Sequence, residues 1–139
     1  MSGLLLQQAA CASDPNPAQC FSNVAPALIG SIAQNVGTIL SRIRAVYSGR
    51  IVYQTLYATD YGDASAVQFV TALNGTVVNV AHQAGAQIAD GYTAFKTAAG
   101  NQTPCGVGLL IEKPDHSGCD VHPTLAGQKV LAQSIRDAQ

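Results

Sequence analysis

Charge is scarce in this chain, and nothing concentrates the little there is. Seven Lys and Arg and eight Asp and Glu among 139 residues leave a net charge of −1 at pH 7, and the basic residues are scattered apart from Arg42 and Arg44. A phosphate backbone demands a sustained positive surface, so no nucleic-acid partner is expected. Long apolar runs are missing as well. No uninterrupted stretch approaches the roughly 20 residues that cross a bilayer, and a soluble chain without a membrane span is expected. Residues 1–11 place Leu4, Leu5 and Leu6 ahead of Cys11, but without a basic flank and well short of the about 7 to 15 apolar residues of a signal core. No lipoprotein signal is therefore expected within this sequence. There is no CxxC pair, internal repeat or low-complexity tract.

What is present is apolar: 47% of residues are hydrophobic, enough for a packed core, and residues 1–139 fall within the usual size of one domain. Four cysteines form two close sets, Cys11 with Cys20 and Cys105 with Cys119, each separated by a polar segment containing Pro or Gly. Three pairings are possible in principle. Local pairing is preferred, because each bond would close a short loop and contribute about 2 to 4 kcal/mol. The alternative of a zinc site is disfavoured by the spacing, with His116 and His122 the nearest imidazoles. Disulfides Cys11–Cys20 and Cys105–Cys119 would make this a secreted or periplasmic protein.

Val24, Leu28, Ile32, Val36, Ile39, Ile43 and Val46 recur in steps of three and four, which predicts a helix capped by Ser22 or Asn23 and ended by Gly49. Residues 51–57, rich in β-branched and aromatic side chains, read as a buried strand, followed by a turn at 60–63. A second helix is predicted over 64–82, a strand at 87–89, a helix at 93–98, a loop at 100–120 and a final helix after Pro123. This order is that of a parallel sheet with helical crossovers. Two strands are few for such a sheet, which normally needs cover on both faces.

The strongest local signal is Cys119-Asp-Val-His122-Pro-Thr-Leu-Ala-Gly127, at the junction of the long loop and the last helix. It resembles the closing motif of the SGNH, or GDSL-type, serine esterases and lipases, in which a His-Pro pair opens the C-terminal helix. The segment from Cys105-Gly-Val-Gly-Leu-Leu110 to Cys119 is similar to the disulfide-closed loop of exported members. The resemblance implies a partial three-layer α/β/α, flavodoxin-like fold with a small parallel sheet. It further implies a short-chain carboxylic-ester hydrolase with His122 as general base, a small ester as substrate, and no metal or organic cofactor. Pro123 would take the first helical position.

Two departures from that family stand out. Where the family often places an acid three residues before the histidine, this chain has Cys119. Asp120 lies two before, as an orienting acid in altered geometry or a solvated carboxylate, and the Cys119 carbonyl is an alternative partner for the ring. The serine motif (Gly-Asp-Ser-Leu type) and the oxyanion motif (Gly-x-Asn-Asp) are both absent, and Asn74 and Asn101 do not match the latter in context. Ser65 is the substitute nucleophile to test first, since it follows the carboxyl end of a predicted strand and opens a helix, although helix capping by Asp63 or Ser65 accounts for it plainly. Ser117 reads as a flexible loop residue and Ser2 as a remnant. His82 reads as a helix-terminal cation, Asp90 as a turn former, and Tyr57 and Tyr61 as core or pocket-lining rings. The competing expectation is a catalytically inactive SGNH-derived fragment or binding module. On either account an unpaired sheet edge predicts a homodimer or larger homo-oligomer.

Overall fold

A computed structural model describes residue 11 and residues 13–138. Ser2 and the Leu4 to Leu6 run lie outside the described residues. The first helix, α1 (Pro17–Val46), begins earlier than its periodicity predicts. Asn16 caps it, accepting from the Gln19 N–H at 3.3 Å, and Pro17 occupies the first turn, where its missing N–H costs no hydrogen bond. Ser22 and Asn23 are thus inside the helix. After Tyr47 the chain enters β1 (Val52–Gln54), then α2 (Ala64–Gln83), β2 (Gln87–Ala89), α3 (Gly91–Ala99), β3 (Leu110–Glu112), β4 (Cys119–Pro123) and α4 (Leu125–Asp137).

The helices α1 and α2 lie side by side and run the same way. Phe21 meets Phe69, Ala33 packs on Leu73 and Val77, and Leu40 joins Ala81 and Ala86. A Cβ on Gly37 would stand 3.1 Å from Val80 Cγ1, so the axes approach closely there. By length and mean hydropathy the stretches Gln19–Val46 and Ala64–Gln83 are sufficient to cross a bilayer, which a count of uninterrupted apolar residues does not reveal. Part of that apolar surface meets across their seam. Arg44 closes the far end, its guanidinium donating to the carbonyls of Tyr47, Gly49, Ala84 and Gly85.

The strands β1 and β2 pair in parallel, with Tyr53 opposite Ile88. Tyr53 and Ile88 pack toward α1 and α2, whereas the next residue, Gln54, donates its amide to Leu131 O and Ser134 Oγ of α4 at 2.8 Å each. Alternation along the strand therefore sets one helical layer on each face. The result is an α/β/α arrangement on a small parallel sheet, as the sequence leads one to expect. The first strand is shorter than predicted because Leu56 turns to a side-chain partner: the buried Asn74 amide donates to Leu56 O at 2.7 Å and accepts from its N–H at 2.9 Å.

The predicted loop at 100–120 contains structure that periodicity missed. β3 and β4 form an irregular antiparallel hairpin, with Leu110 opposite Pro123 and Glu112 opposite Cys119. Pro123 is consequently a strand residue and not the first residue of the helix; Thr124 caps α4, accepting from Gly127 N. Both cysteine pairs are bonded as local disulfides, Cys11–Cys20 and Cys105–Cys119, so none of the four is a free thiolate for zinc. Beneath the hairpin, Phe95, Ala99, Leu109 and Leu110 form a core cluster. Gly127 presses onto it, and a Cβ there would collide with Leu109 O and come within 2.9 Å of Pro123 Cβ and 3.0 Å of Phe95 Cζ. We expect Gly127→Ala to lower stability by about 1 to 3 kcal/mol, the usual cost of overpacking, with urea unfolding as the measurement. An unchanged midpoint would show that α4 can back away from the hairpin freely.

Candidate active site

Successive residues of a strand point to opposite faces, so positions two apart share one. Asp120 and His122 occupy such positions on β4, and Asp120 Oδ1 lies 2.6 Å from His122 Nδ1 and 3.2 Å from its backbone N–H. An ionised carboxylate only accepts, so the ring proton sits on Nδ1 and the Nε2 lone pair of the neutral ring is left available. It is Asp120 that partners Nδ1, and not the Cys119 carbonyl. The hydrogen bond from His122 is the main cause holding the Asp120 carboxyl below its ordinary value of 3.8. Both groups face water, with the imidazole 64% exposed.

The strand that carries this pair is held from the other side by Tyr57. Its hydroxyl donates to Val121 O at 2.6 Å, and its ring stacks on Phe95 with centroids 4.0 Å apart. Burial, and secondarily the Asp120 charge, push the Tyr57 hydroxyl above its ordinary pKa. Tyr57 follows β1, so the contact places Asp120 and His122 beside the carboxyl end of the parallel sheet, where α/β folds place their sites. Tyr57 is thus a support for the hairpin, a role that its sequence context did not signal. Tyr61 donates to Tyr92 O at 2.9 Å, and burial raises its pKa to about 12. Asp90 caps α3, accepting from Thr93 N at 3.0 Å, and His82 is exposed in the last turn of α2.

Ser65 is exposed in the first turn of α2, where Asp63 provides the cap by accepting from the N–H groups of Ser65 and Ala66. It lines a groove between α2 and the first half of α1 whose walls include neither Asp120 nor His122. Among the described residues, Asp120 is the side chain hydrogen-bonded to His122. A second exposed carboxylate–imidazole pair, Glu112 with His116 at 2.7 Å, sits at the hairpin turn, with His116 at a φ of 56°. Ser117 there donates to Asp115 at 2.8 Å. Among the described residues no three His, Cys, Asp or Glu converge as a metal cluster would.

No family model matches the chain, and no curated protein is significantly similar to it. Among solved structures it is similar to LAE5, an α/β hydrolase enzyme from the metagenome of Lake Arreo, Spain. The two share 20% identity at a TM-score of 0.58, over 76% of this chain and 44% of that one. At this identity the likeness establishes the fold alone, and the chain spans less than half of that enzyme's length.

Because its folded pKa is depressed, Asp120 adds stability above the ordinary aspartate range and loses it as pH falls through the lowered value. NMR titration is expected to show the Asp120 carboxyl protonating below 3.8 in the native chain and returning toward that value in His122→Ala. Equal midpoints in the two proteins would mean the pair does not form in solution. Tyr57→Phe is expected to keep the fold while broadening the His122 ring resonances, since the strand loses its anchor.

Proposed function

We propose that this chain carries the proton-transfer half of a serine-type carboxylic-ester hydrolase of the SGNH class, acting on short-chain esters. The observation that supports it best is the Asp120–His122 hydrogen bond beside the carboxyl end of the sheet. With Nδ1–H committed to the carboxylate, Nε2 takes the proton of an attacking serine hydroxyl and returns it to the departing alkoxide. The same base then activates the water that hydrolyses the acyl intermediate. A positioned base of this kind contributes about 10² to 10⁴-fold. Asp120 is the orienting acid, and its placement two residues before the ring is compatible with extended backbone.

The attacking hydroxyl comes to His122 from another segment or from a second copy of the chain. Ser65 is the described serine this reading puts forward. Self-association belongs to the same proposal: among the described residues the two-stranded parallel sheet has no further strand on its outer edges, and Leu56, Ile39, Ile43 and Val46 are exposed. The two local disulfides are compatible with an oxidising environment, and we place the working protein outside the cytosol.

A fluorophosphonate probe is expected to label one serine of the assembled protein, at a rate that collapses in His122→Ala. Mass spectrometry of the labelled peptide identifies the nucleophile. Absence of label together with no p-nitrophenyl acetate turnover above buffer would turn the assignment toward a binding module without catalysis, and turnover undiminished in His122→Ala would remove this residue from the mechanism. Light scattering at micromolar concentration is expected to give a dimer or larger species. A monomer would mean that the sheet edge needs no second copy.

A further inference from the structure

The proposed reaction needs a place for the acyl chain of the ester. The cleft between α3 and α4, about 460 Å³, is poorly suited, because Asp90 and Asp137 line it and an apolar chain gains little beside hydrated carboxylates. The groove between the starts of α1 and α2 is different in kind. It encloses about 310 Å³, and Phe21, Ala25, Ile29, Phe69 and Ala72 supply most of its wall. Among the described residues no charged side chain lines it, and its polar members are Ser22, Ser65 and Gln68. A volume at the lower end of the range for ligand sites, with apolar walls and few polar groups, suits a short hydrocarbon chain attached to a polar carbonyl.

Its position in the fold agrees. The C-terminus of α1 leads into the start of β1, so the first half of α1 lies toward the opposite, carboxyl end of that strand. Ser65 and Phe69 belong to the beginning of α2, which follows the same carboxyl end. The Tyr57 hydroxyl ties the His122 strand to the segment between β1 and α2. The start of α2 and the Tyr57–Val121 contact thus both follow the carboxyl end of β1, although no residue of β4 lines the groove. The two phenyl rings, tilted at 58° with centroids 5.1 Å apart, present edge and face together.

We infer that the groove between Phe21, Ile29, Phe69 and Ala72 is a binding site for the acyl chain of a straight-chain carboxylic ester. The inference names the substrate class of the proposed hydrolase and rests on that reading for its biological meaning, but its binding step is testable alone. The probe is sodium octanoate, titrated into the ¹⁵N-labelled full chain. Saturable amide shifts are expected at Phe21, Ile29, Phe69 and Ala72. Ala72→Phe, placed on an exposed helix position, fills the groove and is expected to weaken binding by about tenfold or more. Ile29→Phe does the same from the opposite wall if the first variant folds poorly. His122→Ala should bind octanoate as the native chain does. Shifts at these residues without any ester turnover would keep the acyl groove and remove the hydrolase reading. Ester turnover whose preference for octanoate over acetate survives both filling substitutions, or shifts clustered elsewhere, would overturn the groove.

Discussion

The arrangement of the candidate site depends on how closely the first turn of α4 sits on the backbone of Leu109. Only a residue without a side chain fits between Leu109 O, Pro123 and Phe95, and Gly127 is that residue. The contact fixes the height of α4 over the core cluster, and through Pro123 and Thr124 it fixes where β4 ends. Thr124 adds a second tie, donating its hydroxyl to Gly108 O at 2.7 Å while its N–H donates to Leu109 O at 2.9 Å. His122 is one residue upstream of this junction and inherits its direction from it. Phe95, fully buried, is the surface on which both Gly127 and the Tyr57 ring rest. A single aromatic side chain thus determines two of the supports of an exposed imidazole.

The electrostatics follow from exposure. A carboxylate and an imidazole in water interact weakly unless geometry holds them together, and long-range attraction between such groups is screened. Here the strand does the holding, because adjacent same-face positions bring Oδ1 and Nδ1 to 2.6 Å while both side chains stay exposed. The pair at Glu112 and His116 has a similar separation but lies at a turn, with neither group tied to the sheet's carboxyl end. Separation alone therefore does not distinguish the two pairs; their supports do. Tyr57 and the Cys105–Cys119 bond hold β4, whereas the chain around His116 is held mainly by turn contacts.

The parts of this fold that were legible in the sequence are those governed by local repetition. The helix spanning Leu28 to Val46 and the Asp63 start of α2 appear where residue type places them, although Ile39, Ile43 and Val46 of the apolar series are exposed while Ala33 and Leu40 are buried, and the β-branched Val52 and Ile88 lie in strands as their shapes favour. The parts that were not legible are governed by distant partners. β1 stops at Gln54 because an asparagine in the next helix captures Leu56, and no local pattern announces that. The hairpin at 110–123 is short and irregular, so it lacks the alternation that would identify it, and its pairing is secured by a disulfide. At the candidate site, His122 stood out by its motif and Asp120 was left between an orienting acid and a solvated carboxylate, while the tyrosine beneath them gave no signal, since its contact arises from the crossing of two segments remote in sequence.

Arg44 carries a consequence for the other half of the molecule. Four backbone carbonyls, two just past α1 and two just past α2, converge on one guanidinium. Two helix dipoles directed the same way would repel at their negative ends, and a single delocalised cation neutralises both. Lysine, a point charge with three donors on one atom, could not span carbonyls so widely set, whereas the flat five-donor fork can. The apolar seam aligns these helices, and at their C-terminal ends it is the shape of one positive charge, and not merely its sign, that ties the two segments together.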